Sequence, residues 1–94
     1  MHIQFTIHIF KEGRRFVAHA LELDVSSCGG TKEKALKNLK EAVRLFLEEA
    51  EEMRTLEEIL EESGYSKTGE QIASRKFISV QRVKLPLSLT HAKA

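Results

Sequence analysis

Apolar and polar residues alternate from the start of the chain. Ile3, Phe5, Ile7 and Ile9 are interleaved with Gln4, Thr6 and His8, which is the period of a strand with one buried face. Lys11 to Arg14, with the permissive Gly13, predicts a hairpin turn into a second, antiparallel strand over 16–23. A bend through Glu22 to Asp24 then leads to a third short strand and the pair Gly29-Gly30. From Thr31 the period changes to that of a helix: Ala35, Leu39, Ala42, Phe46 and Ala50 recur on one face, widened by Leu36, Val43 and Leu47. The helix is expected to end near Met53 and Arg54. Thr55-Leu56-Glu57-Glu58 reads as a capping box opening a second short helix, with Gly64 as its stop. Ser66 to Ser74 reads as a polar loop around Gly69, Lys76 to Leu85 as a final strand ended by Pro86, and the last residues as a frayed tail.

The expected class is therefore α+β: an antiparallel three-stranded meander, a long amphipathic helix, a short second helix and a final strand. One domain over residues 1–87 and a flexible tail over 88–94 are expected. The hinge of this plan is Gly29-Gly30-Thr31, where glycine permits positive φ or a close backbone approach and the Thr31 hydroxyl can cap the helix.

Ninety-four residues with 41% apolar content support a single small core, and oligomerisation would help it. One cysteine rules out an internal disulfide, and no apolar run is long enough for a membrane span or secretory signal, so a cytoplasmic setting is expected. The net charge of +1 conceals a segregation. Residues 48–62 hold eight glutamates against Arg54 alone, a net −7, while residues 63–94 hold six basic groups against Glu70, a net +5. Lys32, Lys34, Lys37 and Lys40 crowd the start of the long helix and glutamates its end, the reverse of what the helix dipole favours. Two readings of the acidic block stand: a face that is simply solvated or that pairs with the basic C-terminal segment, within the chain or across a dimer, and a surface that attracts a basic partner.

The remaining chemistry is sparse. His2, His8, His19 and His91 show no short ligand spacing, and Cys28 beside Gly29 reads as a small packed residue. Gly29-Gly30-Thr31 with Lys32 and Lys34 could hold an anion weakly, but it lacks the length and Gly-Lys-Ser/Thr ending of a nucleotide loop. Arg75, Lys76, Arg82 and Lys84 have only Phe77 as an interleaved aromatic, so a nucleic-acid motif is not evident. No catalytic residue, metal site or cofactor is expected.

The run Ala18-His19-Ala20-Leu21-Glu22-Leu23-Asp24-Val25-Ser26-Ser27-Cys28-Gly29-Gly30-Thr31, with the helix Lys34-Ala35-Leu36-Lys37-Asn38-Leu39-Lys40-Glu41-Ala42-Val43, resembles the HicB family of antitoxin-like domains. That family's signature is a strand, a Glu-Leu-centred bend, a short strand, a Gly-x-Thr step and a helix of the form Glu-Ala-Leu-x-Asn-Leu-x-Glu-Ala. The resemblance covers residues 1–50. Leu21 stands where proline is frequent, Gly30 where an acidic residue is common and Lys34 where glutamate is, so the reciprocal capping box is missing, at a cost of about 1 kcal/mol.

The resemblance implies a worn-down ribonuclease-H-like fold. Nuclease chemistry would need convergent carboxylates, yet 3–10 contains no acid. It further implies a non-enzymatic module that neutralises a HicA-type toxin, a small basic RNA-cleaving protein, by covering its catalytic histidine and RNA-facing surface. The charge map nominates Glu48, Glu49, Glu51 and Glu52 as partner-binding residues, and the resemblance nominates Leu21, Leu23 and Val25. Many members continue into a DNA-binding module; none follows here, so direct DNA binding is not expected. The alternative is a solitary homo-oligomer of structural or regulatory role, joined through sheet edges.

Overall fold

The computed structural model describes residues 2–68, 71–74 and 78–90. The elements are β1 (His2–Ile3), β2 (Ile7–Glu12), β3 (Arg15–Ala20), β4 (Val25–Gly29), α1 (Lys32–Glu52), α2 (Leu56–Glu62), β5 (Tyr65–Thr68) and β6 (Gln71–Ser74). The chain is α+β: β2, β3 and β4 form the antiparallel meander, followed by a long helix, a short helix and the final strands. No helix among the described residues is long and apolar enough to cross a membrane.

The strand expected over 3–10 is two strands in two sheets. β2 stays in the meander, whereas β1 pairs in parallel with β6 in a second sheet of order β1-β6-β5. Backbone groups between them find partners outside any ladder. The Thr6 N–H donates to Glu22 Oε1 at 2.7 Å, the Thr6 hydroxyl donates to Glu22 Oε2 at 2.9 Å, and the Leu21 N–H donates to the Thr6 carbonyl at 2.9 Å. The Gln4 carbonyl accepts from the Tyr65 hydroxyl at 2.7 Å. A buried main-chain group must be paired, and here side chains supply the pairing that lets the strand change sheets.

The meander turns as its residues dictate. Glu12 pairs with Arg15 across a two-residue connection in which Gly13 has φ 62° and Arg14 does not, the pattern of a type II′ hairpin. In the bend before β4, Asp24 takes φ 54°, its N–H donates to the Ala20 carbonyl at 2.8 Å, and its Oδ1 lies 2.8 Å from His19 Nε2. Asp tolerates this left-handed conformation better than most residues.

α1 lies across β4 and β3, burying Ala35, Leu39 and Val43 in one cluster with Ala18 and Ala20. The small sheet residues let the helix sit close. Gly29 matters most: a Cβ there would meet Ala35 N at 2.7 Å and the Lys34 carbonyl carbon at 2.9 Å, while one at Gly30 would meet nothing. Close approach, and not positive φ, is the role of the first glycine; the second has no such requirement. Thr31 caps the helix as expected, accepting from Lys34 N–H at 3.1 Å, and Asn38 Nδ2 donates to the Cys28 carbonyl at 2.9 Å.

At its other end α1 closes in a Schellman arrangement, with Arg54 at φ 61°, Arg54 N–H donating to Glu51 O and Thr55 N–H to Ala50 O. The capping box expected at Thr55 does not form: its hydroxyl donates to Ala50 O at 3.3 Å, drawn back to the end of α1, and does not cap α2. Gly64, at φ 84°, ends α2 as expected.

The polar loop expected over 66–74 is instead the β5–β6 hairpin; Gly69 lies outside the described residues. Buried Tyr65 and half-buried Ile72 anchor it to the core while Ser66, Lys67 and Gln71 are exposed, so its apolar content is too thin to register as a strand. The final strand expected over 76–85 is not found in its described part, 78–85, which carries no regular element; Arg75, Lys76 and Phe77 lie outside the described residues, as do His91 to Ala94. Among the described residues the last regular element ends at Ser74.

Candidate partner-binding surface

Glu48, Glu49, Glu51 and Glu52 occupy the last turns of α1, all exposed, and Glu57, Glu58, Glu61 and Glu62 extend the same charge along α2. Within the described residues the block has one weak basic contact: Arg44, 3.1 Å from Glu41, reaches Glu48 at 4.0 Å. No basic residue lies in the last turn of α1, so its carboxylates face the negative end of the helix dipole uncompensated.

The bend contributes less than the resemblance implies. Leu21 is 37% exposed, but Leu23 is 7% exposed and belongs to the core, and Val25 is half-buried beneath the helix. Leu23 therefore offers no contact surface in the folded chain. Glu22 is turned inward to accept from the Thr6 N–H and hydroxyl, and the pKa of the Tyr65 phenol is pushed up to about 12 by burial first and by the Glu22 charge second.

Between the helices and the second sheet lies an apolar groove of about 450 Å³. Ile3, Phe5, Val43, Leu47, Leu56 and Ile72 line it, with Lys40, Arg44, Glu48 and Glu51 among its charged residues. A shallower depression shares Ile3, Phe5 and Lys40 with it and reaches Glu22. Two of the four nominated glutamates, Glu48 and Glu51, thus line the groove; Glu49 and Glu52 do not, and neither depression includes Leu21 or Val25. Sequence reasoning missed the groove because its walls come from four elements, although Leu56 and Leu60, one helical turn apart, carried a signal of an apolar face on α2.

The uncovered face of the meander holds the other candidates. His8 stands directly across from His19, and Phe10 from Val17, which faces Cys28 on β4. Cys28, expected as a small packed residue, is exposed on this face, because its side chain points away from α1, and Arg15 Nη2 donates to its Sγ at 3.4 Å. Among the described residues no group of three or more His, Cys, Asp or Glu side chains converges as a metal site would. No protein-family model matches the chain, and no curated protein or solved structure is significantly similar to it.

Proposed function

We propose that this chain is a non-enzymatic protein-binding module resembling the HicB antitoxins, which masks the active surface of a small, basic, RNA-cleaving toxin of the HicA type. The observation that carries the reading is the acidic end of α1 and the adjoining α2, exposed, with one weak basic contact among the described residues and set against the helix dipole. A charge arrangement that local helix stability disfavours is explained by what it meets outside the chain. The apolar groove beside Glu48 and Glu51 supplies the desolvated centre that charge alone lacks. On this reading the carboxylates speed encounter and compete with RNA phosphates for the toxin's basic surface.

The test is to co-express the chain with a HicA-type protein from a neighbouring reading frame, then measure association kinetics and RNA cleavage. Binding should suppress cleavage, and reversing Glu48, Glu49, Glu51 and Glu52 to lysine should slow association about tenfold or more at low salt and flatten its salt dependence. Unchanged kinetics would remove the electrostatic argument, and intact cleavage at saturating chain would remove the antitoxin reading. A solitary homo-oligomer is the second reading, favoured by the exposed apolar side chains between Ile78 and Leu89.

A further inference from the structure

The first hairpin brings together two histidines whose spacing along the chain carries no ligand signature. His8 of β2 and His19 of β3 are direct partners in the antiparallel register. Their neighbours Ile7, Ile9, Ala18 and Ala20 pack into the core, so strand alternation puts both imidazoles on the opposite face of the meander. Among the described elements only α1 packs against these strands, and it lies on the core side. His8 is exposed and the His19 side chain is 24% exposed, so both rings reach solvent. Directly opposed residues of an antiparallel pair hold their Cβ atoms about 5 Å apart, which lets two imidazoles converge on one ion at about 2 Å from each nitrogen.

A second feature points to ligation. Asp24, held in the left-handed conformation at φ 54°, places Oδ1 at 2.8 Å from His19 Nε2. Nε2–H donates to that carboxylate, which fixes the tautomer and leaves the lone pair on Nδ1. A carboxylate on the far nitrogen is how metal-binding imidazoles are oriented. We propose that His8 and His19 form a two-imidazole site for one divalent transition-metal ion of the Zn²⁺ or Ni²⁺ kind, bound through His19 Nδ1 and a His8 nitrogen, with Asp24 as the positioning residue. Imidazole nitrogen suits these ions, whereas Mg²⁺ and Ca²⁺ take oxygen ligands. No third His, Cys, Asp or Glu joins the set among the described residues, so water completes the shell and the ion exchanges readily. The ion ties β2 to β3 and stabilises the hairpin by mass action.

Titration calorimetry of the full chain with Zn²⁺, with no toxin present, tests the site independently of the proposed function. One ion per chain is expected with a Kd at or below about 100 μM, and Mg²⁺ at about 1 mM should give no binding heat. His8→Gln and His19→Gln should each weaken Zn²⁺ binding by about tenfold or more, and Asp24→Asn by about tenfold with the stoichiometry kept. Circular dichroism of the metal-free variants shows that each still folds. Nitrogen-15 spectra of the imidazoles should show the Nε2–H tautomer of His19 in the wild type and its loss in Asp24→Asn, a readout that a merely structural role of Asp24 would not move. His2→Gln, His91→Gln and Cys28→Ser should leave the affinity unchanged. Substoichiometric Ni²⁺ should broaden the ring resonances of His8 and His19 together, a reading that needs no variant. Absence of binding at about 1 mM Zn²⁺ overturns the proposal. So does binding that survives the combined His8→Gln and His19→Gln change, binding lost with Cys28→Ser, or broadening centred on His2. An Asp24→Asn chain with wild-type affinity overturns the positioning role.

Discussion

Replacing Tyr65 with phenylalanine tests the node where the chain crosses from one sheet to the other. The Tyr65 hydroxyl donates to the Gln4 carbonyl at 2.7 Å, the side chain is 6% exposed, and its pKa stands at about 12. Burial is the main cause and the Glu22 carboxylate, held in place by Thr6, the second. The unfolded chain releases the phenol proton near pH 10, so the sign of the linkage is set. Below about pH 10 both states keep the proton and the full contribution is present; from there to about pH 12 only the folded state keeps it, and stability falls as pH rises. Two units of separation correspond to at most about 2 to 3 kcal/mol. Denaturant titrations of wild type and Tyr65→Phe across this range isolate the contribution, because lysine titration is common to both. The variant should be less stable by about 1 kcal/mol at neutral pH, through the orphaned Gln4 carbonyl, and the gap should close or reverse by about pH 12. Tyr65 is the single tyrosine and tryptophan is absent, so tyrosinate absorbance reads this site alone. A phenol titrating near pH 10 in the folded protein would refute the reasoning, as would parallel stability curves.

The two glycines before α1 should respond differently to the same substitution. Gly29→Ala places a methyl group 2.7 Å from the Ala35 amide nitrogen and should cost about 1 to 3 kcal/mol, whereas Gly30→Ala meets open space and should change the thermal midpoint by only a degree or two; equal effects would mean the helix does not sit as close as described. Arg54, a non-glycine residue at φ 61° in the helix-closing turn, should give about 0.5 to 1 kcal/mol of added stability as Arg54→Gly, measured by urea unfolding, and a loss would refute the strain assignment.

How much of this was legible in the sequence follows from how local each determinant is. The meander, the Gly13 turn, the Thr31 cap and the Gly64 stop each rest on a few neighbouring residues, and all were readable. The split of the first strand was not, because it depends on Glu22, sixteen residues away, reaching Thr6. Its alternation of Ile3, Phe5, Ile7 and Ile9 continues unbroken through a change of sheet. The ends of the chain invert the usual logic: the weakly apolar 65–74 forms a hairpin around Tyr65 and Ile72, while the strongly apolar 78–85 forms nothing within one chain. Hydrophobic content marks a segment that needs a partner surface, but not which molecule supplies it. The same holds for the site. The exposed glutamates could be read directly, whereas Leu23 and the groove depended on tertiary packing.

The acidic end of α1 permits a test that separates its cost to the fold from its use. Glu51 and Glu52 sit in the last turn, with no basic residue there to answer the dipole. Reversing both to lysine should stabilise the isolated chain by about 1 kcal/mol in total, since each change removes a repulsion and adds an attraction, and the gain should shrink at high salt. Glu51 also lines the apolar groove, so the measurement is made on the chain alone, at a concentration where light scattering shows a monomer and only the fold contributes. Expected there is a raised unfolding midpoint, while the same reversal should weaken binding of the proposed toxin. A helix end kept at a stability disadvantage, and improved for folding by the very change that damages binding, is the signature of a surface shaped by its partner. No gain in the isolated chain would mean the glutamates are merely solvated, and the electrostatic support for the proposed function would fall.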